Sequence, residues 1–311
     1  MEHVKDLIWK ENMSVSELVD NFKTTGFQSI ELNKASQAVY KMRKEHAKTY
    51  LTFTSNLGTS GLRGFFAQLI NLGVVDVVVT TAGAIEEDIM KAIGEKFLIT
   101  RFNADDIELH EKGHNRIGNL AITNDSYQRF EGFIVPVLRE IAEEKTLIST
   151  SDLLYEIGKR LDDKNSFLYQ AYKNNIPIFC PSLIDGSLGF QLYFARQKVK
   201  DFNIDLIDDF KKIMFLTSQD DKKGVIALGG GVSKHFAILS TLISGGMDYA
   251  VYITTARATS GSASGATTNE AKSWGKVKDD ADSVTVNGDA SILFPILMFS
   301  VLDRLKKEGE I

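Results

Sequence analysis

Eight residues near the C-terminus bring together the parts of amine chemistry: Asn269-Glu270-Ala271-Lys272-Ser273-Trp274-Gly275-Lys276. Glu270 can hold an ammonium group, Trp274 can offer its π-face to a cationic chain, and Lys276 can attack an imine carbon. A lysine attacks only when neutral, which requires desolvation or a neighbouring positive charge to lower its pKa. The run before them, residues 259–268, is built of Ser, Gly, Ala and Thr and reads as a flexible lip on a pocket, with Gly261 and Ser262 at its crown. The same octapeptide also describes a plain surface turn with a half-buried Trp and a solvated Lys. The rest of the chain has to decide between the two.

The elements that must position these residues recur as strand, small polar turn, helix. Residues 50–54 are a β-type run that empties into 55–61, and helical spacing resumes over 62–72. This layout presents free backbone N–H groups to an anion, or is simply a strand–helix turn. Residues 74–80 are nearly all β-branched, as in a strand covered on both faces. They end in Thr81-Ala82-Gly83-Ala84, and a helix is expected from residue 85 with Glu86, Glu87 and Asp88 in its first turn. Acids there suit the helix dipole. Glu86 and Glu87 also lie beyond the carboxyl end of a buried strand, where open α/β sheets bind ligands, and can hold the charges of a polyamine.

Further along, residues 112–119 read as a polar loop, with His114 a hydrogen-bonding loop residue. Helices are expected between 126 and 175, one of them starting at Ser151-Asp152. Residues 176–181 form a strand ending in a glycine-rich turn whose Asp185 can accept ribose hydroxyls or close an Asx-turn. Residues 225–228 are a buried-type strand before Gly229-Gly230-Gly231, and His235 falls in the first turn of the next helix. The triplet is not the dinucleotide fingerprint G-x-G-x-x-G. Strands at 249–254 and 283–286 follow, the last leading through Asn287-Gly288-Asp289 into a buried C-terminal helix. At the other end, residues 13–48 read as helical, with Ser14 or Ser16 as cap. The alternation predicts an α/β fold: a Rossmann-like, doubly wound, mostly parallel sheet with an N-terminal helical embellishment, forming a single domain over 1–311.

Composition sets broad bounds. The 311 residues carry a net charge of -5, which argues against nucleic acid as the main partner and accommodates a cationic substrate. Cys180 is the only cysteine, so no intrachain disulfide or cysteine-rich metal site forms. No metal-ligand cluster is expected, and H-E-x-x-H, P-loop and G-x-S-x-G signatures are missing. The most apolar stretch, 290–302, is too short to span a bilayer and contains Pro295. Without the apolar core of a signal peptide at residues 1–6, the chain is expected to be cytoplasmic and free of membrane.

Taken in order, the turns resemble deoxyhypusine synthase. The matching stretches are Thr54-Ser55-Asn56-Leu57, Val79-Thr80-Thr81-Ala82-Gly83 with Glu86-Glu87-Asp88, and Asn115-Arg116-Ile117-Gly118-Asn119. They continue with Asp185-Gly186-Ser187-Leu188-Gly189, Gly229-Gly230-Gly231 with Lys234-His235, residues 248–253, Glu270 with Ser273-Trp274-Gly275-Lys276, and Asp289-Ala290. The resemblance implies an NAD-dependent enzyme assembled as a homotetramer. It would move the aminobutyl group of spermidine, through an imine on an enzyme lysine, to a lysine of translation initiation factor 5A. It implies Lys276 as the imine-forming nucleophile and His235 as the base that takes the proton as hydride leaves the donor amine. Ser55, Asn56, Leu57, Thr81, Ala82, Gly83, Asp185, Gly230, Thr255, Ala256, Asp289 and Ala290 would cradle NAD. Glu86, Glu87, Gly261, Ser262, Glu270 and Trp274 would face the amine.

Two positions depart from that pattern, and the run Arg257-Ala258-Thr259-Ser260 also lacks the acidic and aromatic residues usual there. Phe190 and Ala263 stand where the eukaryotic members have acids that help to anchor spermidine, so the donor and acceptor amines are less fixed than the chemistry. A homospermidine-type transfer to putrescine or another amine keeps the same residues. A non-catalytic NAD-binding paralogue would not need Lys276, Trp274, Glu270 and His235 together.

Overall fold

Five runs rich in β-branched and aromatic residues pair in parallel, as such side chains favour. They are β1 (Lys48–Phe53), β2 (Val77–Val79), β3 (Lys223–Leu228), β4 (Met247–Thr254) and β5 (Val277–Asn287), in the spatial order β5-β4-β3-β1-β2. Strands β1 to β4 are buried at nearly every position, which is why their sequences run apolar without alternation. The expected α/β fold with a mostly parallel sheet is present. The computed structural model that shows it describes residues 2–219 and 221–311. The chain falls into two compact units, the first comprising the chain up to Phe53, Val74–Val79 and Lys212–Ile311, the second Thr54–Gly73 and Thr80–Lys211.

In the first unit the strand order reverses between β1 and β3, the kind of point where open parallel sheets take ligands. The registers bring the carboxyl ends to a common edge: Phe53 and Ile253 both pair with Leu228, and Thr254 pairs with Asn287. The turns after β3, β4 and β5 therefore start side by side. Helix Val15–Asn21 is fixed by a capping box in which Ser14 and Glu17 satisfy each other's backbone N–H. A 3-10 turn, Phe22–Thr24, and Gly26 at φ 104° interrupt the helix expected over 13–48, which resumes as Phe27–Lys44. Helix Ala290–Lys307 packs on both N-terminal helices and buries Phe294, Leu297, Met298, Val301 and Leu305.

The second unit is mainly helical. Its helices include Ser55–Thr59, Arg63–Asn71, Ala82–Ala92, Asn124–Glu144, Thr150–Gly158, Phe167–Asn174 and Ser187–Lys198. Three local expectations are corrected here. Residues 55–59 are a short helix and not an open turn. Helix Ala82–Ala92 begins three residues earlier than expected, so Glu86, Glu87 and Asp88 are buried in its second turn and do not serve its dipole. The supposed loop 112–119 supplies the strand His114–Ile117, which pairs antiparallel with Leu120–Thr123. Its polar residues mislead because the hairpin is only partly buried.

Candidate active site

The short helix Thr268–Ser273 is bracketed by two local devices. Thr267 caps it by accepting from the Glu270 N–H at 3.2 Å. At the other end, the Gly275 N–H donates to the Lys272 carbonyl and the Lys276 N–H to the Ala271 carbonyl, the paired bonds of a Schellman motif. That motif needs a left-handed residue, and Gly275 sits at φ 67°. The Ser-Trp-Gly-Lys run is thus a helix stop that fixes where Lys276 leaves the helix. The Lys276 carbonyl then accepts from Met247 N–H at 3.0 Å and from the Thr241 hydroxyl at 3.2 Å.

His235 comes from the opposite direction. After β3 the chain turns through Gly229 and Gly230, at φ 62° and 78°, into the helix Val232–Leu239. The result is a contact of 3.1 Å between Lys276 Nζ and His235 Nε2. Lys276 is 9% exposed, and its Nζ lies 5.1 Å from the centre of the Trp274 ring. These groups line a cavity of about 240 Å³ together with Glu270, Thr267 and Gly261. Ile238, Tyr252, Ala263, Ala266 and Ala271 supply apolar wall, and Lys234 completes it. Partial desolvation in the pocket, and then the positive charges of Lys276 and Lys234, push the His235 pKa below its ordinary value. The shift favours the neutral imidazole over the imidazolium. Ser262 does not line the cavity; its hydroxyl bonds that of Ser260 at 3.0 Å on the exposed crown of the loop.

Along the same sheet edge lie Gly230, Thr255, Ala256, Asp289 and Ala290. Asp289 caps its own helix by accepting from Ser291 N–H at 2.8 Å. In the second unit Ser55, Ala82, Gly83 and the Asp185-Gly186 turn converge. A Cβ on residue 83 would come within 2.8 Å of the Ser55 Cβ, and one on residue 186 within 3.3 Å of the Ala82 Cβ. Glu86 is buried and accepts from Leu188 N–H at 2.8 Å, so it holds this turn. Glu87 is also buried and accepts from the Thr59 hydroxyl, and burial pushes its carboxyl up to about 7. Among the described residues no cluster suited to a metal ion occurs, and no helix is long and apolar enough to cross a membrane.

The family model for deoxyhypusine synthase matches residues 17–301. The chain belongs to the deoxyhypusine synthase family. It is 40% identical to a probable deoxyhypusine synthase of Thermococcus gammatolerans, over 94% of this chain and 92% of that one. It is 37% identical to the deoxyhypusine synthase of Senecio vernalis, over 96% and 93% of the two chains. A crystal structure from Entamoeba histolytica, described provisionally as a deoxyhypusine synthase, superposes with a TM-score of 0.71 at 30% identity, covering 96% of this chain and 97% of that one. Membership in this family makes the chain a transferase of the hypusine-forming class.

For a member of this family, the pocket contains two groups to which sequence reasoning gives no task, Lys234 and Tyr252. Tyr252 is hidden in a buried strand whose pattern says nothing of which face meets a cavity. Lys234 carries a faint signal, since a cation in the first turn of an apolar helix opposes the helix dipole.

Proposed function

We propose that this chain makes deoxyhypusine by moving the aminobutyl group of spermidine, through an imine on Lys276, to a lysine of translation initiation factor 5A, with NAD as cofactor. The observation that carries the reading is the 3.1 Å contact between Lys276 Nζ and His235 Nε2 inside the pocket that also holds Glu270 and Trp274. His235 takes the proton released as hydride leaves the donor amine, since imidazole titrates near neutrality. With the donor carbon already at the imine oxidation level, the neutral Lys276 amine adds to it, and a new C=N bond to Lys276 forms as the C=N bond to the remaining diamine breaks and that diamine leaves. Glu270 holds the ammonium end of that unit, and the Trp274 ring flanks its methylenes. The acceptor lysine repeats the exchange and frees Lys276.

The residues present fit NAD. In the second unit the Thr81 hydroxyl is buried with no hydrogen-bond partner among the described residues. Helix Ala82–Ala92 begins at Thr81 with no side-chain cap, so its first-turn N–H groups are offered to an anion, whereas the Leu188 N–H at the start of helix Ser187–Lys198 is already taken by Glu86. Ser55, Asn56, Leu57, Ala82, Gly83 and Asp185 carry the same reading there. In the first unit it rests on Gly230, Thr255, Ala256, Asp289 and Ala290. When bound, NAD supplies hydride acceptance from the donor amine and hydride return to the product.

Incubation with NAD and labelled spermidine, followed by borohydride, is expected to add mass at Lys276. Lys276→Arg keeps NAD binding but loses transfer by at least about a thousandfold, because a guanidinium stays protonated. An adduct elsewhere, or undiminished transfer by the variant, removes Lys276 from the mechanism. Parallel incubations with translation initiation factor 5A and with putrescine identify the acceptor. The active form is proposed to be a homotetramer, and light scattering that finds a fully active monomer overturns that assignment.

A further inference from the structure

Lys234 occupies an electrostatically adverse place. It is 2% exposed, it sits in the first turn of helix Val232–Leu239 where the dipole is positive, and His235 and Lys276 share its pocket. A buried ammonium costs several kcal/mol unless it is paired. Its Nζ lies 4.5 Å over the Tyr252 ring. Burial pushes the Tyr252 pKa up, so its hydroxyl stays neutral and supplies no anion. Burial pushes the Lys234 pKa down to about 8, against a weaker opposite pull from Glu270. What the ammonium does reach is a loop: it donates to the Ala266 carbonyl at 3.0 Å.

That carbonyl is one residue before Thr267, the cap of the short helix that carries Glu270 and Trp274 and delivers Lys276. The crown of the loop, residues 257–263, is exposed. Its bond back to the strands is that of the Thr254 hydroxyl to the Ser264 carbonyl, at 3.2 Å. We propose that Lys234 is a positioning residue that pins the Ala266 end of this loop to the helix bearing His235, holding Glu270 and Lys276 in register with the imidazole. The inference rests on the reading of this pocket as the reaction site, while its first two tests need no turnover.

Lys234→Met keeps the stem and removes the donor; Lys234→Arg restores a cationic donor. Hydrogen exchange of the backbone amides of residues 264–268 is expected to speed up about tenfold in Lys234→Met and to stay near the native rate in Lys234→Arg. NMR titration should show the His235 pKa rising in Lys234→Met, because one of the two cations that depress it is gone, and not in Lys234→Arg. Where turnover is measurable, Lys234→Met lowers kcat more than it raises KM. If Lys234→Met does not fold, Lys234→Gln, with a shorter polar arm, takes the same measurements. Native exchange rates with an unmoved His235 titration overturn the proposal, and so does borohydride adduct formation on Lys234, which would make it a nucleophile. Loss of all turnover in the native protein would strike the functional reading alone.

Discussion

The carboxyl of Glu87 is pushed up to about 7 by burial, although the Thr59 hydroxyl and the charge of Lys91 pull the other way. The consequence for stability has a definite sign. A carboxyl whose folded-state pKa is raised contributes stability that is fully present below its unfolded value and is lost as pH rises through the folded one. The window runs from about 4.5 to about 7, and the loss across it is at most about 3 kcal/mol. Glu87→Gln keeps an oxygen for Thr59 and removes the charge. The variant is expected to match the native protein near pH 4.5 and to exceed it above pH 7, by unfolding free energies from denaturant titrations. Parallel pH profiles for the two proteins would show that Glu87 is not strained by ionisation. At this scale much of the pocket is legible in the sequence, since Glu270, Trp274 and Lys276 sit within one helix and its stop signal. The contact to His235 is not, because it depends on the parallel sheet bringing residues 41 positions apart to one edge.

Elements show where sequence patterns succeed and where they fail. Strands β1, β3 and β4 are legible because buried parallel strands are apolar on both faces. Strand β5 is read as residues 283–286 but runs over Val277–Asn287, since its first half, Lys278-Asp279-Asp280-Ala281-Asp282, is largely exposed and looks like a loop. The helix Ala82–Ala92 is misjudged for a related reason: three consecutive acids suggest a solvated first turn, yet each is buried with a partner. Asp88 is the clearest of them. One of its oxygens accepts from Arg63 Nε at 2.5 Å, and the other from the Ser166 hydroxyl at 2.7 Å and the Leu168 N–H at 3.0 Å. One carboxylate thereby ties helix Arg63–Asn71 to the start of helix Phe167–Asn174. Asp88→Asn removes the fully buried one of the carboxylates that pair with Arg63, which costs about 3 kcal/mol. Denaturant unfolding should show a lower midpoint at unchanged slope. A loss below about 1 kcal/mol would mean that Asp163, which pairs with Arg63 at 2.7 Å, suffices.

For the molecule as a whole, the net charge of -5 draws in any cationic amine and so cannot distinguish one from another. Discrimination falls to the pocket, where Glu270 is the single carboxylate among the lining residues, against Lys234, His235 and Lys276. Ala263, one of the two positions where the sequence departs from the eukaryotic pattern, lies in that lining, whereas Phe190 is 67% exposed on a helix of the second unit. An ammonium brought to the Ala263 side meets apolar wall, and leaving it there without a partner is costly. A donor with one ammonium at Glu270 and none beside Ala263 is therefore favoured by the first unit taken alone. Ala263→Asp supplies a second carboxylate. Because position 263 is exposed, the gain is limited to about 1 kcal/mol, or about fivefold in relative kcat/KM. Transfer rates from spermidine, spermine, homospermidine and agmatine, compared between the native protein and Ala263→Asp, should shift toward donors carrying a second charge near the reacting carbon. Identical rank orders with unchanged rate ratios would show that this side of the pocket does not select the amine.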